Sequence, residues 1–273
     1  MVPTRLRQFA RGIASPRSWR RAVELERLRC ADRYRPVETR LLGPTIHAPD
    51  GPALYSAYRA IFETQSYAFT TETDEPVIID GGANIGLSVI YFKQLFPASH
   101  VVAFEPDPEI AEYCRRNLAA FGIDDVVLHV EALWTENGEQ TFWPEGADGG
   151  RIGHANDQGR TIVVKSRRLR DVLGAMRDPI DLLKLDIEGA ESRVLEDCRD
   201  VLDHVKRVFV EYHSFPDRPQ ELASVVGLLS AAGFRLHAVP ENYALQPFVA
   251  RPTIGGMDLQ LNIYAFREEA VSS

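Results

Sequence analysis

Short runs of β-branched and other apolar residues alternate with longer amphipathic stretches from residue 77 onward. The short runs have the length of buried strands, and the longer stretches have the periodicity of helices. This alternation is typical of βα units whose strands form a parallel sheet. The predicted strands are Val77–Asp80, Val101–Glu105, Val126–Val130, Asp181–Leu185, Val205–Glu211, Phe234–Ala238 and Leu259–Phe266.

The last predicted strand differs from the other six in its connection. The segment after Gly256 is too short for another crossover helix, so we expect strand 259–266 to enter by a hairpin and to lie antiparallel near the sheet edge. Six parallel strands and one reversed strand form a doubly wound α/β fold, although this pattern also permits a plain dinucleotide-binding fold. We divide the chain into an N-terminal helical arm or cover, residues 1–70, and a main domain, residues 71–273.

Two irregular segments interrupt the main domain, at 141–164 and 240–256. In the first, a predicted strand pair at 140–143 and 161–164 brackets a glycine-rich stretch, 145–154. Long irregular loops in compact domains are either functional lids or disordered, and the sequence leaves both readings open.

Charge is distributed unevenly along the chain. The net charge of the chain is −8. Residues 1–40 carry eleven arginines, no lysine and four acids, so the net charge of this segment is +7 and that of the remaining residues is −15. An acidic main domain argues against a nucleic-acid-binding protein, which would present a basic face. The arginine-rich arm suits a transit peptide, an anionic membrane surface or an acidic partner. Alternatively, it is a helix packed on the domain through Leu6, Phe9, Trp19, Val23 and Leu28.

The sequence shows no membrane-spanning or secretory segment. No apolar run approaches the roughly 18 to 20 residues that a membrane span needs, and the N-terminus lacks the apolar stretch of a secretory signal. Cys30, Cys114 and Cys198 are odd in number and far apart, and no CxxC motif is present. We therefore expect a cytoplasmic protein with reduced thiols. The oligomeric state stays open, a homo-oligomer included.

A glycine-rich turn follows the first predicted strand. Residues 77–86 read VIIDGGANIG, an apolar strand that leads into the turn and then into a helix. Gly82 and Gly86 permit close approach of backbone and ligand, and Asp80 is expected to place a carboxylate in the crevice at the strand end. A carboxylate is unfavourable beside a pyrophosphate but suits the ammonium group of S-adenosylmethionine. A dinucleotide is the alternative, although no register supplies the glycines of G-x-G-x-x-G.

The next two strand ends extend this predicted pocket. Glu105 ends the second strand before Pro106, where its carboxylate can accept both ribose hydroxyls of an adenosine-type cofactor. A nicotinamide cofactor would use the same residue, and a solvated strand-end acid is the structural alternative. The third strand ends at Glu131, Ala132 and Leu133, where backbone groups and a flat apolar wall can hold an adenine.

These motifs resemble the FkbM-type methyltransferases, a family of S-adenosylmethionine-dependent enzymes mostly associated with O-methylation of natural products and sugars. The matching residues are 80–86 (DGGANIG), 104–106 (FEP), 132–133 (AL) before 137–138 (NG), 183–191 (LKLDIEGAE) and 210–213 (VEYH). The block at 183–191 is the most family-specific. The resemblance implies the class I methyltransferase fold with S-adenosylmethionine as cofactor. It also implies that Asn84 lies in the cofactor turn and that Tyr67 belongs to a segment closing over the cofactor.

Five ionisable residues follow the fourth and fifth predicted strands: Asp186, Glu188, Glu191, Glu211 and His213. Neighbouring parallel strands bring their carboxyl ends to one crevice, so these side chains can converge beside the cofactor's methyl group. Methyl transfer needs an acceptor that is held in line and relieved of its proton. Asp186, Glu188 and His213 are therefore the candidate catalytic residues. Helix capping is the alternative role for the two acids, and a plain surface or core position is the alternative for His213.

No resident metal is predicted, although Asp186, Glu188 and Glu211 form an oxygen cluster of the kind that Mg²⁺ favours. We expect the acceptor to be a small molecule or a glycan, served by residues 1–50, where no recognisable motif lies. Three function classes stay open: an O-methyltransferase, a nicotinamide-dependent oxidoreductase and a non-catalytic binding protein. The missing third glycine counts against the second, and the intact acidic cluster counts against the third.

Overall fold

The structure is a computed structural model that describes residues 16–145, 150–152 and 161–267. It contains helices and short strands that alternate from residue 77 onward, as the apolar pattern predicted. In chain order the elements are α1 (Pro16–Arg29), β1 (Val37–Thr39), β2 (Ile46–Ala48), α2 (Gly51–Tyr58), a π-helical turn (Arg59–Glu63), β3 (Val77–Gly81), α3 (Leu87–Leu95), β4 (His100–Phe104), α4 (Pro108–Ala120), β5 (Val127–His129), β6 (Ala132–Trp134), β7 (Gly138–Trp143), β8 (Arg151–Ile152), β9 (Ile162–Arg168), α5 (Leu169–Ala175), β10 (Leu182–Leu185), α6 (Glu191–Cys198), β11 (Arg207–Ser214), α7 (Leu222–Ala231), β12 (Arg235–Asn242) and β13 (Leu259–Phe266).

The main sheet has seven strands in the order β12-β13-β11-β10-β3-β4-β5. Strands β3, β4, β5, β10 and β11 pair in parallel, whereas β13 is antiparallel to both β11 and β12. The seven predicted strands all form, and the reversed strand is second from the edge. The doubly wound, class I methyltransferase architecture is thereby confirmed.

The core lies on both faces of this sheet. Ile78 and Ile79 are consecutive residues of β3, so their side chains point to opposite faces. Ile79 packs with Leu195 of α6 in one apolar cluster, and Ile78 packs with Ile90 of α3 in the other. All four side chains are fully buried, and each contributes about 1.5–3 kcal/mol by burial. Packing on both faces fixes the strand ends at which the candidate site lies.

A second sheet of four strands, in the order β6-β9-β7-β8, follows β5. The antiparallel pairing of β7 with β9 confirms the strand pair expected at 140–143 and 161–164. Within the glycine-rich stretch 145–154, residues 146–149 and 153–154 lie outside the described residues. The short β8 pairs with the end of β7, and this pairing places Ile152 opposite Phe142.

Within the described N-terminal residues 16–70, the C-terminal end of α1 packs against the main domain. Leu28 is fully buried in the same apolar cluster as residues of α2 and α3. Trp19 and Val23 are instead 65% and 48% exposed, so the expected packing through these two residues is wrong. Leu6 and Phe9 lie outside the described residues. The domain boundary at residue 70 stays a prediction.

Among the described residues, no helix is both long enough and apolar enough to cross a membrane. The predicted cytoplasmic location is not tested by this observation.

Candidate active site

A cavity opens at the carboxyl ends of β3, β4 and β10. Six of the nine predicted cofactor-binding residues line it, and two predicted catalytic acids line it as well. The lining residues are Gly82, Asn84, Phe104, Glu105, Pro106, Asp107, Ile110, Glu131, Ala132, Leu133, Phe142, Glu145, Gly150, Ile152, Asp186, Ile187 and Glu188. The cofactor side and the acceptor side predicted from the sequence therefore meet in one space.

The glycine-rich turn is fixed by its contact with the neighbouring strand end. Gly82 has φ +82°, and a Cβ atom there would lie 1.8 Å from the carbonyl oxygen of Asp186. No side chain fits, because the turn after β3 lies directly against the chain after β10. Asn84 also has a positive φ, 48°, which asparagine tolerates better than most residues. Gly86, with φ +87°, is the N-cap residue directly before α3.

Asp80 lies beneath the turn and is not among the residues that line the cavity. Its fully buried carboxylate accepts a hydrogen bond from Ser88 Oγ and lies 3.1 Å from Lys184 Nζ. Lys184 also donates to the Gly82 carbonyl at 2.9 Å and lies 3.5 Å from Asp186. Burial alone would lower the pKa of Lys184, but Asp80 and Asp186 outweigh burial and raise it. One buried cation thus connects the turn to the acceptor side.

Tyr67 covers this buried cation. Its ring centroid is 5.5 Å from Lys184 Nζ, and the ring packs edge-on against Phe209 with centroids 4.9 Å apart. The side chain is buried but does not line the cavity. Tyr67 therefore contacts the site through Lys184.

Glu105 lies at the end of β4 with both carboxylate oxygens turned to backbone donors. Oε2 accepts from Asn84 N at 2.9 Å, and Oε1 accepts from Asp107 N at 2.9 Å. Burial raises the pKa of Glu105 to about 7, more than these two hydrogen bonds lower it. Each oxygen keeps a second lone pair, so the carboxylate can still accept hydrogen bonds from hydroxyl groups of a ligand in the cavity.

An apolar wall faces Glu105. Ala132 and Leu133 of β6 are buried, and Phe142 and Ile152 of the second sheet line the same cavity. Glu131 is held beside this wall by Arg167, whose Nε donates to it at 2.7 Å. A flat aromatic ligand can therefore lie between apolar side chains near a carboxylate.

The acceptor side is centred on the imidazole of His213. Its side chain is 1% exposed, and Nε2 lies 3.7 Å from Glu211, 3.8 Å from Glu188 and 4.0 Å from Asp186. Its other nitrogen, Nδ1, lies 3.0 Å from Glu191 Oε1. The predicted convergence of these strand-end residues is therefore what the structure shows.

Glu191 positions both the imidazole and the turn beside it. Its Oε1 accepts hydrogen bonds from the backbone N–H groups of Ile187 and Gly189, at 3.1 and 3.0 Å. The intervening Glu188 has a positive φ of 56°, a conformation that a side chain tolerates only when its surroundings hold it. One carboxylate thus fixes the directions of Glu188 and His213.

The cluster binds protons strongly. Burial raises the pKa of Glu211 to about 7 and raises that of Glu188 well above its usual value, and the nearby Asp186 adds to both shifts. For His213, burial alone would lower the pKa, but Glu188 and Glu191 outweigh it and hold the pKa well above its usual value. The cluster therefore holds protons at a pH where exposed carboxylates would be ionised.

The N-terminal segment contacts the cofactor-side wall. Tyr34 Oη donates to Glu145 Oε1 at 2.9 Å, and the Arg33 guanidinium lies 3.6 Å from the same carboxylate. Glu145 lines the cavity after β7. Residues 1–50 were expected to serve the acceptor, but this described contact is on the cofactor side.

Residues 80–236, more than half of the chain, match the family model described as the methyltransferase FkbM domain. The chain belongs to the FkbM methyltransferase family. Its membership makes it a methyltransferase with S-adenosylmethionine as cofactor and decides against the nicotinamide oxidoreductase.

Individual relatives of this FkbM-family protein are similar over most of its length. The 2-O-methyltransferase NoeI of Sinorhizobium fredii is 33% identical over 159 residues, which cover 52% of this chain and 65% of NoeI. The 31-O-demethyl-FK506 methyltransferase FkbM of Streptomyces tacrolimicus is 30% identical over 242 residues, 74% of this chain and 90% of that protein. A solved FkbM methyltransferase from Methylobacillus flagellatus KT aligns with a TM-score of 0.48 at 14% identity, covering 90% of this chain and 59% of the other.

The sequence did not predict the roles that three residues have in the site of this FkbM-family protein. The sequence does contain a clue to Lys184, because a lysine within the otherwise apolar run 182–185 needs a buried partner. Glu191 was counted with the acidic cluster, but its contact with His213 Nδ1 depends on the packing of α6 against β11. The sequence gives no clue that Phe142 lines the cavity, because its position in the apolar wall depends on how the strands of the second sheet pair.

Three side chains of the cluster have the spacing that a metal site would need. Asp186, Glu211 and His213 each offer one atom, and these atoms lie within 4.8 Å of one another. The set expected for Mg²⁺ contained Glu188 instead of His213, and an imidazole nitrogen suits Mg²⁺ less well than oxygen does. The Lys184 ammonium, 3.5 Å from Asp186, already supplies a positive charge there.

Proposed function

We propose that this protein transfers the methyl group of S-adenosylmethionine to a hydroxyl oxygen of a small molecule or glycan. The observation that carries this proposal is the buried imidazole of His213, which faces Asp186, Glu188 and Glu211 at 3.7–4.0 Å beside the cavity. A hydroxyl is a poor nucleophile until its proton is shared, and this cluster offers acceptors for that proton. Two relatives whose names specify O-methylation support the same atom type.

For the cofactor, we propose that Glu105 accepts the ribose hydroxyls and that Ala132 and Leu133 contact the adenine. Glu131 borders the adenine wall. The turn formed by Gly82, Asn84 and Gly86 would face the amino-acid portion. The cavity lining supports this assignment for Gly82 and Asn84. Gly86 does not line the cavity and packs against Cys114, so its part is to shape the turn through its positive φ.

Asp80 and Tyr67 have indirect roles in this proposal. Asp80 holds Lys184 at 3.1 Å, and Lys184 holds the Gly82 carbonyl, so Asp80 fixes the turn on which the cofactor rests. Tyr67 covers Lys184 and excludes water from the ion pair. Lys184 compensates the charge of Asp80 at 3.1 Å, and Asp80 does not line the cavity, so the direct contact expected between Asp80 and the cofactor's ammonium group forms no part of this proposal.

Bound S-adenosylmethionine would supply a methyl carbon activated by its sulfonium. The acceptor oxygen would form a bond to that carbon as the carbon–sulfur bond breaks, and the bonding pair would stay on sulfur as a neutral thioether. The hydroxyl proton goes to His213 Nε2 or to Asp186, and Glu188 helps to position the hydroxyl. A general base of this kind contributes roughly 10²- to 10⁴-fold to the rate.

The cofactor's own charge would prepare the base. In the free protein, Glu188 and Glu191 raise the pKa of His213, which favours the imidazolium. A sulfonium placed in the adjoining cavity disfavours the imidazolium and lowers that pKa. Cofactor binding thus promotes the neutral imidazole that can accept the acceptor's proton. The proposal needs no metal ion, since Lys184 and the sulfonium supply the positive charges.

Product analysis tests the methylated atom. The protein is incubated with S-adenosylmethionine carrying a ¹³C-labelled methyl group and a panel of sugars, polyketide alcohols and their amino analogues. We expect labelled methoxy carbons from hydroxyl acceptors and none from acceptors whose hydroxyl is replaced by hydrogen. Label found on nitrogen or carbon, with hydroxyl acceptors inert, would contradict the proposal.

A further inference from the structure

The exposed end of α1 presents two large apolar side chains to solvent. Trp19 and Val23 are 65% and 48% exposed, and their spacing of four residues places them on one face of the helix. Leu28 follows Trp19 by nine residues, which is half a rotation in net direction, and it is fully buried against the domain. The Trp19 face is therefore the face directed away from the domain.

Arginines outnumber acids in α1. The helix contains five arginines and two acids. The two acids are already paired, Glu24 with Arg27 at 2.7 Å and Glu26 with Arg29 at 2.6 Å, whereas Arg20 is exposed beside Trp19. The chain beyond residue 40 has a net charge of −15, so positive and negative charge are separated along the sequence.

We propose that the outward face of α1, with Trp19, Val23 and Arg20, docks this protein on an anionic lipid membrane surface. Tryptophan favours the boundary between headgroups and acyl chains, and arginines beside it are attracted to anionic lipids. The acidic part of the chain beyond residue 40 is repelled by the same lipids, so contact with the membrane is confined to α1. This separation of charge complements a flat anionic surface, and the outward Trp19 and Val23 add the apolar insertion that a purely ionic contact with an acidic protein lacks.

Vesicle co-sedimentation of the full chain tests this inference. We expect sedimentation with phosphatidylcholine vesicles that contain phosphatidylglycerol, little with phosphatidylcholine alone, and a loss of binding when NaCl is raised from about 0.1 to about 0.5 M, since salt screens the attraction. Arg20→Gln should weaken partitioning on the order of fivefold, the effect of one arginine near such a surface. Trp19→Ser should weaken it roughly tenfold, because it removes a large apolar group.

Two matched controls locate the surface. Arg177→Gln removes another exposed arginine, and Phe248→Ser removes another fully exposed aromatic side chain; neither should change binding. Calorimetry with S-adenosylhomocysteine should be unaffected in all four variants, which separates this proposal from the methyltransferase proposal. The inference is overturned if anionic vesicles do not bind the wild type, or if Phe248→Ser and Arg177→Gln weaken binding as much as Trp19→Ser and Arg20→Gln.

A second readout asks what covers Trp19. Tryptophan emission of the full chain should shift to shorter wavelength on anionic vesicles, and Trp19→Ser should abolish the shift, leaving the emission of Trp134 and Trp143 unchanged. If residues 2–15 or an acidic partner are the true occupants of this face, vesicles will leave the Trp19 emission unchanged, and that result contradicts membrane docking.

Discussion

Individual carboxylates in this site each bind more than one group. Glu191 joins an imidazole to a backbone turn, and Glu105 joins two backbone segments while facing the cavity. The sequence indicated that acids stand at these strand ends, because each follows an apolar run. It could not indicate their hydrogen-bond partners, since Asn84 and Glu105, or Glu191 and His213, come together only when separate βα units pack.

The first prediction concerns Glu105 and the cofactor. Glu105→Ala should weaken S-adenosylhomocysteine binding by roughly 1.5–3 kcal/mol, the value of a charge-assisted hydrogen-bonding site. Isothermal titration calorimetry measures this loss directly. Glu196→Ala, an exposed acid on α6, is the control and should bind as the wild type does.

The second prediction is the pH dependence of that binding. The pKa of Glu105 is raised to about 7, and the ribose hydroxyls donate best to the ionised form. Affinity should therefore rise with pH through about 7 and level off above it, with up to roughly tenfold weaker binding at about pH 6. Glu105→Gln should remove this dependence. A wild-type affinity that is constant from about pH 6 to 8 would contradict the assigned role.

The third prediction concerns Glu191, which we infer to be a positioning residue for His213. Glu191→Gln keeps an oxygen acceptor but removes the charge that raises the pKa of His213. The acid limb of the kcat profile should therefore move to lower pH, with a lower plateau because the base is weaker. Glu191→Ala should in addition lower the free energy of unfolding by about 1–3 kcal/mol, since two backbone donors lose their acceptor. An unshifted acid limb in Glu191→Gln would show that its role is only structural.

At the scale of elements, the seven strands of the main sheet follow from their apolar runs, and the reversed β13 follows from the short connection before it. The second sheet was predicted only as the pair 140–143 and 161–164. Strand β8 has two residues, too few for a recognisable pattern, and the parallel pairing of β6 with β9 requires tertiary contacts. For this reason the apolar wall of the cavity was only half predicted.

The fourth prediction belongs to the contact between the N-terminal segment and this wall. Tyr34→Phe removes the hydrogen bond to Glu145 and should loosen the end of β7 where it lines the cavity. Because the pair is exposed, the effect should be small, about two- to fivefold weaker cofactor binding with faster dissociation, as for a contact worth up to about 1 kcal/mol. Tyr243→Phe, at another exposed tyrosine, is the control. Unchanged dissociation kinetics in Tyr34→Phe would leave the contact without a role in cofactor binding.

At the scale of the whole molecule, charge divides the protein into a basic N-terminal end and an acidic catalytic body. Five of its acids lie around Lys184 and His213, namely Asp80, Asp186, Glu188, Glu191 and Glu211. In the proposed function, the cofactor would bring further positive charge to this cluster. Composition and motif order were enough to predict the fold and the cofactor. The arrangement of the base could not be predicted from them, because Asp186 follows β10 whereas His213 lies on β11, and the pairing of these strands sets the distance between the two side chains.

Single-turnover kinetics across a pH series tests the proposed base most directly. His213→Ala and Asp186→Asn are compared with the wild type and with two exposed controls, His100→Ala and Asp178→Asn, using an acceptor from the product panel and protein dialysed against EDTA. The account predicts that at least one site variant loses roughly 10²- to 10⁴-fold in rate, with nearly unchanged cofactor affinity. It predicts that the controls and the dialysed wild type keep full activity. Wild-type rates in both site variants at every pH, or activity that is lost in EDTA and restored by a divalent cation, would contradict it.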